Sequence, residues 1–130
     1  MTLGPPYTLT IPGRPVQWQR LNPKYGFNPT EMKNAKKRVR FLWQQKHGDA
    51  MTFPGHPKLK LTCRFYYPDN NNADLSNLIK LIEDALQTVR GKNVKGAAYE
   101  DDKQIIRYGE SFIEFNSDEP RTEIILQVIY

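Results

Sequence analysis

Residues 58–67 alternate with period two, setting Leu59, Leu61, Cys63, Phe65 and Tyr67 on one side and Lys58, Lys60, Thr62, Arg64 and Tyr66 on the other. That is the pattern of a strand with one buried face. A shorter run of β-formers at residues 7–11 closes at Pro12-Gly13, and apolar stretches at 105–115 and 121–130 predict two more strands. Between these segments the period changes to that of a helix. Asn28, Pro29 and Glu31 make a helix start, because Asn caps, Pro fits the first turn and the acid reaches back. The helix that follows, over residues 29–46, has Met32, Ala35, Val39, Leu42 and Trp43 on one stripe. Lys33, Lys36, Lys37 and Arg40 form the other.

A second helix is predicted over residues 73–86. Stepping 100° per residue, Leu75, Leu78, Ile79, Leu81, Ile82, Ala85 and Leu86, with Val89 beyond, share one arc. Ser76, Asn77, Lys80, Glu83 and Asp84 share the other. Asp74 would fall in the apolar arc if helical, so it is either an N-cap or a carboxylate sunk at the helix edge with a partner. The predicted fold is one α+β domain over residues 1–130: a mixed four-stranded sheet packed by two main helices.

Composition changes the picture mainly by exclusion. The chain has 130 residues, 38% apolar and 25% charged, so it can bury a core. No apolar run approaches the ~18 residues of a membrane span, and the N-terminus lacks the regions of a signal peptide, so a cytoplasmic protein is expected. Cys63 is alone, and neither His47 nor His56 has a Cys or His at zinc-ligand spacing.

Charge adds a polarity. The net +5 resolves into +9 over residues 1–60 and −4 over residues 61–130. A basic half suits a polyanion, and acids gathered in an otherwise basic protein suit bound cations, although solvated faces would give the same totals. Lysines at i, i+3 and i+4 repel one another, which favours a phosphate-facing role for the first helix over mere solubility. Glu100-Asp101-Asp102 stands just before the strand at 105. Adjacent acids are relieved by solvent, by cationic side chains or by a metal such as Mg²⁺, which takes one or two carboxylates and keeps room for phosphate.

Taken in order, Asp74-Leu75-Ser76-Asn77-Leu78-Ile79-Lys80, Asp84-Ala85-Leu86 and Asp101-Asp102 resemble the signature of the RusA family of Holliday junction resolvases. In that signature a D-x-D-N helix start and a downstream D-D pair surround a lysine. Pro12-Gly13-Arg14-Pro15-Val16, Arg20 and the cationic helix are similar to the family's first half. The resemblance implies a homodimer, bacterial or phage-encoded, that binds four-way DNA junctions and makes paired nicks with Mg²⁺, or Mn²⁺ in its place. It also implies catalytic roles for Asp74, Lys80 and Asp102, and metal contacts from Asp74, Asp84, Asp101 and Asp102. Ser76 departs from the pattern, standing where the family has its second aspartate. Glu83 shares that stripe but lies seven residues on, about 10 Å along the axis, and cannot simply fill the place.

The candidate DNA-contacting residues are Arg14, Arg20, Lys24, Lys33, Lys36, Lys37 and Arg40, with Trp18 or Phe27 available to stack on an unpaired base. Trp18 as plain core is the simpler assignment. Two other functions remain open at this point. One is a non-catalytic dimer that binds branched DNA and has lost its metal site through Ser76; the other is a nuclease acting on flaps or forks.

Overall fold

A computed structural model describes residues 1–19, 29–89 and 95–130. Five strands form one mixed sheet: β1 (Tyr7–Pro12), β2 (Leu59–Tyr66), β3 (Ile105–Tyr108), β4 (Phe112–Glu114) and β5 (Arg121–Val128). Two helices, α1 (Pro29–His47) and α2 (Leu75–Leu86), complete an α+β domain. The sheet order is β1-β5-β2-β3, with β4 also on β2. The last strand is therefore central, antiparallel to β1 on one side and to β2 on the other. β2, α2 and β3 make a parallel crossover. That connection lays α2 across the sheet and brings the chain back past the helix's C-terminal end before β3 begins.

The alternation of residues 58–67 is realised except at Thr62, which is buried too, against the Gly109 backbone. Leu59, Leu61, Cys63 and Phe65 are buried, and Tyr67 continues the row just past the strand. They pack with Ile124 and Leu126 of β5, with Val39 and Trp43 of α1, and with Leu78, Leu81, Ile82, Ala85 and Leu86 of α2. Trp43 is wholly buried, and its indole N–H donates to Thr52 Oγ1 at 2.9 Å. A buried ring with its one polar atom satisfied contributes roughly 3–5 kcal/mol against truncation to alanine.

The segment expected as one strand at 105–115 is two. Its register on β2 slips by one residue between Leu59 and Lys60, and once more before the Arg64–Phe112 pair. Gly109 sits at the second slip because a Cβ there would lie 1.9 Å from Thr62 Oγ1. Ser111 repairs the ladder: its hydroxyl accepts from Cys63 N at 3.0 Å in place of a main-chain carbonyl.

The cationic stripe of α1 divides. Lys33 and Lys37 are exposed, whereas Lys36 pairs with Asp84 at 3.6 Å. Arg40 turns inward, donating from Nε to Ala85 O at 2.8 Å and from Nη2 to Gln87 O. Its Nη1 is buried without a partner among the described residues. Arg40 thus satisfies carbonyls at the C-terminal end of α2, groups that a helix leaves open.

Candidate active site

The polar stripe of α2 carries Ser76, Lys80, Glu83 and Asp84, and acids approach it from two ends. At the first end Asp74 is the N-cap, with extended backbone; it is not helical. One oxygen, Oδ1, accepts from Ser76 N at 2.9 Å, Ser76 Oγ at 2.6 Å and Asn77 N at 3.3 Å. These bonds favour the ionised form, and the Ser76 hydroxyl leads in holding the Asp74 pKa below its ordinary value. Oδ2 has no hydrogen bond among the described residues.

A strap, residues 14–19, fastens this end. Asp74 N donates to Gln17 Oε1 at 3.0 Å, Trp18 N donates to Asn77 O at 3.0 Å, and Tyr67 Oη donates to Pro15 O at 3.1 Å. Trp18 is partly buried against the core, and its ring faces the Lys80 ammonium, 4.7 Å from the centroid. Trp18 is therefore both partial core and a cation–π seat for Lys80. Arg14 is exposed, bonds Asp69 at 2.7 Å and stands 5.0 Å over the Tyr67 ring.

At the second end Asp102 is anchored through its own main chain, its N–H donating to Gln87 Oε1 at 2.8 Å. The Asp102 carboxyl lies within the influence of Asp84 and Lys80 on α2, whereas Asp74 caps the start of the helix. Lys80 stands between them. Burial, then Asp101, then Asp84 push the Asp102 pKa up, and Lys80 opposes them. Glu83 is raised too, first by burial and then by the charges of Asp102 and Asp84, although Tyr108 Oη donates to its Oε1 at 3.0 Å. Asp101 behaves differently: it caps the 3₁₀ turn Asp102–Gln104, accepts from Lys103 N at 2.9 Å and is lowered by that bond.

The structure thus brings Lys80, Glu83, Asp84 and Asp102 within electrostatic reach of one another, with Asp101 touching that group through Asp102, while Asp74 caps the start of the helix. Arg20, Lys24 and Phe27 lie outside the described residues. Gln17, Gln87 and Tyr108 were not picked out from the sequence. Nothing in their local spacing announces them, since each acts on a residue at least fifteen positions away or from another element.

The donor set suits a hard divalent cation, being carboxylate oxygens, two of which, on Glu83 and Asp102, are raised by neighbouring acids as well as by burial. Among the described residues no three His, Cys, Asp or Glu side chains are grouped closely enough to hold an ion together. Mg²⁺ needs no such group, because it commonly takes one or two carboxylates and fills its remaining positions with water and phosphate oxygens.

A model of the family described as Endodeoxyribonuclease RusA matches residues 12–127, from the end of β1 to the end of β5. The chain belongs to the RusA family. Family membership implies endodeoxyribonuclease activity of the Holliday junction resolvase class on branched DNA, in a family generally dependent on divalent metal. None of the curated proteins compared with it matches. No described helix is long and apolar enough to cross a membrane. Against this RusA background the Ser76 hydroxyl gains a specific meaning. The resemblance sets it where the family has its second aspartate, and here it donates to Asp74 Oδ1 at 2.6 Å.

Proposed function

We propose that this RusA-family chain is a Mg²⁺-dependent crossover junction endonuclease, acting as a homodimer that resolves four-way DNA junctions by paired hydrolytic nicks in recombination and repair. The observation that carries the reading is the stripe of α2, where Lys80 stands between the Asp74 cap and the Asp102 end. Asp74 and Asp102 are the principal carboxylates for the cation, with Asp84 and Asp101 supporting and Mn²⁺ able to substitute. A divalent cation at these oxygens supplies charge neutralisation at the scissile phosphate and a more acidic attacking water.

The remaining work falls to side chains of this protein. Lys80, steadied against Trp18, offers its ammonium to a non-bridging or leaving oxygen, where charge grows during cleavage. Asp74 uses Oδ1 to hold the helix start and has no bond to Oδ2 among the described residues, so the acid can serve the fold and the chemistry with different atoms. Asp74 and Asp102 would be the residues to hold the ion, Asp74 at the helix start and Asp102 with its carboxyl beside Asp84 and Lys80. Lys33 and Lys37 present exposed charge to phosphates, Arg14 meets DNA with its planar face while Asp69 holds its charge, and Arg20 and Lys24 are DNA-contact candidates on the sequence alone. Lys36 and Arg40 spend theirs on α2. Two copies related by a twofold axis would place one site on each of two opposed strands.

Ser76 favours a second reading, a branched-DNA-binding dimer without cleavage, because it removes one of the family's site carboxylates. One experiment separates them: a labelled four-way junction incubated with the protein in Mg²⁺ and in EDTA. The nuclease reading predicts symmetric nicks in Mg²⁺ alone, while binding without nicks at any divalent concentration would contradict it.

A further inference from the structure

The strap of residues 14–19 also roofs a cavity of about 310 Å³ that the cleavage chemistry leaves unused. Val16, Met32 and Tyr67 give it apolar walls, while Gln17, Asn72 and the Arg14 guanidinium give it polar edges. It adjoins the proposed site directly: Ala73 lines it, and Gln17, also in its lining, accepts the hydrogen bond from Asp74 N. A second, more apolar cavity of about 190 Å³ lies under the same strap, so this segment bridges open space on both flanks.

The electrostatics of the larger cavity argue against an anion. Its one cation among the described lining residues, Arg14, is already paired with Asp69 at 2.7 Å, and the same wall carries the Glu31 carboxylate. A phosphate would meet a balanced pair. What fits instead is a flat, neutral group with both donors and acceptors at its edge and an apolar face. The volume is at the small end of ligand pockets, enough for one ring system. The guanidinium of Arg14, held between Asp69 and the Tyr67 ring, offers a planar surface of the kind on which bases stack.

We propose that this cavity receives one unstacked nucleobase from the strand whose phosphate lies at Asp74 and Lys80, an inference that rests on the nuclease reading. Base extrusion costs least where stacking is already interrupted, as at a strand exchange point. Seating the base would fix the backbone beside Asp74 and make cutting depend on the nucleotide next to the nick. Specificity would then come from the strap rather than from groove readout by a helix.

The test uses four-way junctions carrying 2-aminopurine singly at each nucleotide flanking the nick, with Ca²⁺ to hold binding apart from cutting and Mg²⁺ to measure cutting. The proposal predicts a several-fold rise in emission at one of these positions on binding the wild-type protein. Asn72→Trp, which fills the mouth from an exposed position, should bind the junction within about threefold of wild type, lose the emission rise and nick at least tenfold more slowly. With the wild-type protein, an abasic residue at the responsive position should slow nicking by a similar factor. Normal nicking with no emission change at any flanking position would overturn the base site alone, as would a rise that survives Asn72→Trp. An emission rise without nicking would overturn the nuclease reading and leave the base site standing.

Discussion

The two ends of α2 treat their acids in opposite ways. At the N-terminal end one Asp74 oxygen receives three hydrogen bonds, and the pKa falls. At the C-terminal end Glu83 and Asp102 crowd one another beside Asp84, partly shielded from water, and both pKa values rise. The first arrangement is content without any ion, whereas the second carries negative charge that the described residues only partly offset. Satisfied charge is what a cap needs. Unrelieved charge is what a cation-dependent site needs, and protein stability is the usual cost of holding it.

The sharpest break of this contrast is Asp102→Asn. Removing a principal carboxylate should lower the Mg²⁺-dependent nicking rate by about 100-fold or more, while junction affinity in EDTA is kept or strengthened because a repelling charge is gone. Gel assays of nicking and anisotropy measurements of binding check the two halves separately. Near wild-type nicking would remove Asp102 from the chemistry.

Asp74 separates cap from catalyst. Asp74→Ala loses the cap and should lower the unfolding midpoint, read from denaturant melts. Asp74→Asn keeps an accepting oxygen, so it should restore most of that stability and still nick poorly. If the asparagine variant nicks normally, Asp74 is only a cap.

The smallest effect concerns pH. Glu83 and Asp102 have folded pKa values above their unfolded ones, so the folded chain binds more protons in that interval. Their contribution to stability is present below the ordinary carboxylate pKa near 4 and is lost as pH rises through the raised values. Glu83→Gln should flatten that part of a Tm–pH curve in EDTA and raise Tm slightly at neutral pH. An unchanged slope would show that the crowding is relieved in solution.

Much of this was legible in the chain. Period-two alternation gave β2, helical spacing gave α1 and α2, and the wheel position of Asp74 narrowed it to a cap or an edge carboxylate. The ordered acids and Lys80 pointed to the family that the match over residues 12–127 shows. What stayed hidden was long-range. The slips at Lys60 and Gly109 depend on which strand lies alongside, so the edge read as one strand. The stripe of α1 looked uniformly cationic because helical spacing does not say which lysine or arginine faces another helix. Lys36 and Arg40 face α2. The contact that fixes Asp102 beside α2 was equally invisible, since Gln87 reaches it across fifteen positions of chain.

The account turns on a divalent cation being drawn to the crowded end of α2. Paramagnetic broadening of backbone amide signals by Mn²⁺ measures this directly. Residues 83–87 and 101–103 should broaden first at low Mn²⁺, and Asp102→Asn should abolish most of the effect. Broadening centred elsewhere, or equal in the variant, would contradict it.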